Sequence, residues 1–206
     1  MRGRWIFVLA ALVAFAGAIA NAETKSAILG SPHDLRINTT TGDACIACHT
    51  PHGSNPDAKA LLWQRAVRTA YAVYDATVNP DFAGGAVDLT LGNKASLLCL
   101  SCHDGAVATN MSHQNTAIPG IQAETAPPVS SGGNPNDLTT THPVGFTYAT
   151  SVTAKPTDYL ATPGNGVKLF VGTVQCGSCH QAHDNTNDEF LRVSNTGSAL
   201  CLSCHV

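Results

Sequence analysis

The 206-residue chain has no cysteine outside one recurring pattern, a single methionine after residue 22, and no cluster of basic residues. Each shortage removes a class of reading. Scattered Lys and Arg in a chain of net charge −3 lack the electrostatic footprint of a nucleic-acid binder, so nucleic acid is not an expected partner. Beyond residue 22 no apolar run approaches the ~20 residues of a spanning helix, and stable membrane insertion is not expected. The lone Met111 reads as a packing residue rather than a metal ligand. Regular structure is weakly signalled. Leu61, Leu62, Trp63, Val67, Tyr71 and Val73, within 58–76, fit either a helix or short extended pieces.

The first residues carry an address. Met1 to Arg4 is short and basic, Trp5 to Ala20 is apolar, and Ala20-Asn21-Ala22 offers a small-residue cleavage point. This reads as a secretory signal peptide over 1–22, since the apolar run is too short for an anchor. No cysteine follows the cut, so a lipid anchor has no attachment residue there. The expected localisation is exported, to the extracellular space or cell surface, with the periplasm as the alternative.

Eight cysteines in an exported chain invite a disulfide framework. The spacing opposes it, because all eight fall into four units: CIACH (Cys45, Cys48, His49), CLSCH (Cys99, Cys102, His103), CGSCH (Cys176, Cys179, His180) and CLSCH (Cys201, Cys204, His205). Two thiols separated by two residues reach the two vinyl groups on one side of a porphyrin. The following histidine then lies under the iron. Four covalently attached c-type haems are therefore expected, with His49, His103, His180 and His205 as proximal ligands. Four-cysteine zinc sites and disulfides are the alternatives, weighed against a reading that uses every thiol.

Five histidines remain for four distal positions: His33, His52, His113, His142 and His183. His52 and His183 each stand three residues after a proximal histidine. So short a connection does not readily pass around the porphyrin rim, so each is expected to reach the iron of an adjacent haem. The acids Asp34, Asp104 and Asp184 beside histidines are read as ring-orienting or solvated groups.

The ligands also spell a repeat. His33, CIACHTPH and CLSCH are followed in the same order by His142, CGSCHQAH and CLSCH, with unequal loops between the motifs. This divides the chain into a signal peptide (1–22), a first haem-pair unit (23–115), a Pro/Gly/Ser-rich linker (116–137) and a second haem-pair unit (138–206). The expected fold is mostly irregular and loop-rich, with short helices around the motifs and four haems forming much of the core. Without haem the chain is expected to be unfolded or nearly so.

CIACHTPHG, CLSCHDGAVA, HPVGF, CGSCHQAHD and CLSCH together resemble the multihaem cytochromes c with doubled CxxCH motifs. In haem count, size and motif order the chain is similar to the OmcE-type extracellular filament cytochromes. The resemblance implies bis-histidine ligation, stacked haem pairs, a helix-poor fold and one distal histidine donated by the next subunit. Carried over by position, it implies His52 for the second haem, His183 for the fourth and His142 for the third, with His33 as the candidate to cross an interface. His113 is then in excess. It serves the first haem if His33 goes to a neighbour, or it is exposed.

The function expected from these residues is electron conduction without substrate chemistry, in a head-to-tail filament that exchanges electrons with redox proteins or extracellular acceptors. A monomeric periplasmic shuttle is the alternative. A multihaem reductase is the remaining enzyme reading, and it requires a five-coordinate iron that the histidine count does not demand. The last motif, followed by Val206 alone, is expected to lie at the surface with its haem edge exposed.

Overall fold

The computed structural model describes residues 28–38, 42–58, 62–104 and 137–206. Residues 1–22, read as a signal peptide, Met111, His113 and residues 116–136 of the segment read as a linker lie outside the described residues. Regular structure is sparse. Helix α1 (Ala95–His103) is followed by strand β1 (Phe146–Thr147), helix α2 (Tyr148–Ala154), strand β2 (Thr173–Val174) and the single turn α3 (Cys176–Cys179). Short 3-10 turns fill in between, including Leu35–Asn38 and Cys201–Ser203. β1 and β2 form a two-stranded antiparallel pair in which Phe146 faces Val174 and Thr147 faces Thr173. This is the loop-rich, helix-poor architecture expected from the sequence, and three of the four motifs begin in or initiate a helical turn.

Apolar packing is divided among small clusters. Leu97 and Leu100, three positions apart on one face of α1, pack with Leu89 and Leu138, and Val67, Tyr71, Val73 and Val144 lean on them. A second cluster gathers Phe146, Tyr148 and Val174 with Phe82, Val87, Val152 and Leu169. A third surrounds Ala47 with Leu35 and Ile46. The 62–76 stretch, legible only as helix or extended, runs in extended pieces: Trp63 bridges His49, and Ala72 bridges Asp137.

The first two clusters each draw on both sides of the linker, so the two ligand units share packing. A buried polar bolt does the same between the motif helices. The Oε1 of Gln175, at 0% exposure, accepts from the Ser96 amide at 3.2 Å and the Ser96 hydroxyl at 2.6 Å. Its Nε2 donates to Thr173 Oγ1 at 2.9 Å, and the Cys176 amide donates to Ser96 Oγ at 3.0 Å. α1 and α3, which carry the second and third motifs, are thereby fixed side by side.

Candidate haem-binding sites

Three of the four motifs are built alike. In each, the histidine amide donates back to the carbonyl of the first cysteine: His49 to Cys45 at 2.9 Å, His180 to Cys176 at 3.0 Å and His205 to Cys201 at 2.9 Å. An extended segment then crosses the histidine. Trp63 bridges His49, Leu191 bridges His180 and Tyr159 bridges His205. The next residue on that segment donates its amide to the carbonyl of the second cysteine: Gln64 to Cys48 at 2.8 Å, Arg192 to Cys179 at 2.8 Å and Leu160 to Cys204 at 2.9 Å. The second motif differs, being the end of α1 itself.

The spacer residues explain how both thiols stay available. The second spacer position is Ala47, Ser101, Ser178 or Ser203, and each is 0% exposed. Only a small side chain fits where the turn backs onto the protein. Ser101 Oγ donates to Leu98 O at 2.6 Å and Ser203 Oγ to Ala199 O at 2.8 Å, while Ser178 Oγ accepts from the Gln175 amide at 2.9 Å. The first spacer position varies because its surroundings vary. Leu100 is buried in the core and Leu202 is exposed. Gly177 faces the Phe170 ring, which a Cβ would meet at 2.9 Å.

None of the eight cysteines is joined in a disulfide. The thiols of neighbouring motifs approach one another. Cys99 and Cys176 share a hydrogen bond that raises the Cys99 pKa well above its ordinary value, with burial adding to the rise, and brings Cys176 down to about 7. Burial pushes the Cys179 thiol up to about 11, with Cys204, Cys176 and Cys201 contributing. Among the described residues, no group of three or more His, Cys, Asp or Glu side chains is arranged to hold a bare metal ion.

The histidines fall into pairs. The His49 ring lies 6.1 Å from His183, His103 lies 6.1 Å from His33, and His205 lies 6.5 Å from His142, all between ring centres. Each pair joins one motif histidine to one from outside the motifs. This differs from the positional carry-over, which put His183 with the fourth motif, His142 with the third and His33 at a subunit interface. His33 is held inside its own chain, stacked on Phe190 at 4.3 Å. His52 is exposed, and His180 has no ring contact with a second histidine among the described residues.

Ring orientation comes from the main chain and from aromatic neighbours. The Nδ1 of His142 lies 2.9 Å from Pro143 O and that of His180 2.8 Å from Glu189 O, with a longer 3.5 Å approach of His33 Nδ1 to Ala182 O. With Nδ1 donating, the Nε2 lone pair faces outward for a metal. Trp63 stands edge-on to His49 at 5.7 Å and Tyr159 contacts His205 at 4.9 Å. Burial lowers the His33 pKa, and nearby His103, His183 and His180 lower it further, which favours the neutral ligand form. Desolvation acts on His142 in the same direction.

The acids bind backbone amides and neighbouring side chains rather than histidine rings. Asp34 accepts from the Gly30 amide and the Arg36 guanidinium, and Asp184 caps Thr186. Asp104 is fully buried and accepts from the Tyr71 hydroxyl at 3.1 Å. Sequence reading did not single out Tyr159, Phe190, Ser96 or Gln175. Only the small second spacer shared by the four motifs was visible as a local signal for packing.

The donor set fits covalent haem. Each motif offers two thiols and a histidine, three of these histidines face a second imidazole, and the Trp63 indole N–H beside His49 is buried without a hydrogen-bond partner among the described residues. Among those residues no helix is long and apolar enough to cross a membrane. No curated protein matches the chain. Residues 170–206, which hold the third and fourth motifs, match the family model of the doubled CXXCH motif, so this stretch implies covalently bound c-type haem and is consistent with a multihaem cytochrome.

Proposed function

We propose that the chain is an exported tetrahaem c-type cytochrome that conducts electrons and assembles head to tail into an extracellular filament. The observation that carries the electron-transfer reading is the complete use of eight cysteines in four CxxCH units, with three motif histidines each facing a second histidine. The signal peptide at 1–22 supports export.

Bound haem would supply one-electron exchange at its iron. The protein's part is to hold and tune it. Each thiol adds across a vinyl double bond, sulfur to one carbon and hydrogen to the other, so attachment needs no oxidant and releases no leaving group. Imidazoles whose Nδ1–H groups donate to Pro143 O and Glu189 O are made more basic, which favours oxidised iron and lowers the potential. At the three paired motif histidines a second imidazole would occupy the iron's other face and leave no position for a substrate there, which supports conduction over catalysis.

Assembly is supported by exposed apolar side chains around the last motif. Leu202 is 54% exposed and Val206 77%, and Leu160 is joined to this segment through its bond to Cys204 O. A contact that repeats without closing on itself generates a filament. Mass spectrometry of protein purified from an exporting, haem-loading host should show Glu23 at the N-terminus and four covalent haems. Electron microscopy should show fibres. A haem-free chain overturns the cytochrome reading, and discrete particles under all conditions overturn the filament.

A further inference from the structure

We propose, resting on the haem reading above, that within one chain His183 is the second axial ligand of the first motif's iron, His33 of the second and His142 of the fourth. The spacing carries the assignment. Metal–histidine bonds of ~2 Å, with roughly 1 Å more from each nitrogen to its ring centre, put trans imidazole centres about 6 Å apart. The three pairs stand at 6.1, 6.1 and 6.5 Å.

A parallel ring pair elsewhere in the chain packs more closely. His33 and Phe190, nearly parallel at 17°, close to 4.3 Å, whereas His49 and His183, also close to parallel at 27°, stop at 6.1 Å. The composition of the pairs points the same way, because each contains one motif histidine and one other. No pair joins two proximal residues. For His33 and His142 the Nδ1 atoms face main-chain carbonyls, which leaves Nε2 to coordinate.

The first iron then becomes a crosslink between the two halves of the chain, since His49 and His183 lie on opposite sides of the linker. His183 also follows His180 by three residues, so the first and third haem positions are consecutive. This order is not the one that motif position implies.

The test uses the full haem-loaded chain carrying His183→Gly. One haem in four should pass from low-spin to high-spin in the EPR and optical spectra, and added imidazole should restore it. The identity of that haem is read in two backgrounds. In Cys201→Ala/Cys204→Ala, which lacks the fourth attachment, the high-spin signal of His183→Gly should persist. In Cys45→Ala/Cys48→Ala, which lacks the first, it should vanish. The opposite result in either background, or an unchanged low-spin spectrum in His183→Gly itself, overturns the pairing. A covalent haem count of zero in the parent protein instead overturns the functional reading on which the pairing rests.

Discussion

Replacing Gln175 with methionine keeps its length and approximate volume while deleting the polar end that joins α1 to α3. Two fully buried donors lose their acceptor, the amide and the hydroxyl of Ser96. Thr173 loses little, because its hydroxyl still donates to Phe170 O at 2.6 Å. An orphaned buried donor costs about 1–3 kcal/mol, so the pair should cost roughly 3 kcal/mol. For a chain of this size that corresponds to a fall in Tm of about 6–12 °C. The measurement is thermal unfolding of the haem-loaded protein, followed by circular dichroism. Ser96→Ala provides the check, since in the double variant the stranded hydroxyl no longer exists. The two losses together should fall short of their sum by about 1–2 kcal/mol. A Tm within about 2 °C of the parent, or strictly additive losses, refutes the claim that this bolt holds the second and third motifs together.

Other consequences are equally direct. Gly177→Leu copies the spacer of the second and fourth motifs into the third, where Phe170 already occupies the space. It should cost about 1–3 kcal/mol and lower haem occupancy at that motif alone, as peptide mapping would show. Tyr148→Phe removes the hydroxyl that donates to Leu160 O at 2.8 Å and Cys204 O at 3.3 Å. A loss of about 1 kcal/mol is expected, seen as a Tm lower by about 2–4 °C. Replacing all eight cysteines with alanine should abolish the cooperative unfolding transition in calorimetry, because apolar clusters as small as those around Leu97 and Phe146 do not by themselves order so loop-rich a chain.

The haem chemistry is legible in short stretches of sequence. Thiol spacing and the adjacent histidine are local quantities, set within five residues of backbone, so CIACH, CLSCH, CGSCH and CLSCH point to haem attachment without a fold, and the doubled-motif match covers the last two of them. The helix-poor architecture was legible for a related reason: apolar periodicity is weak, and punctuation by Gly, Pro and Asn is frequent. The small second spacer of each motif was also in plain view, although its burial was not.

Which histidine lies beside which is visible only in the folded chain. His183 lies three residues from His180 in sequence, yet its ring stands 6.1 Å from that of His49, and the His33 ring stands 6.1 Å from that of His103. Motif order could not supply this, because rings that meet through space have unconstrained sequence separation. The same holds for Gln175 and Ser96, two unremarkable polar residues that matter through burial and mutual hydrogen bonds. Covalent attachment is a property of neighbouring residues along the chain, and ligand pairing is a property of chains folded back on themselves.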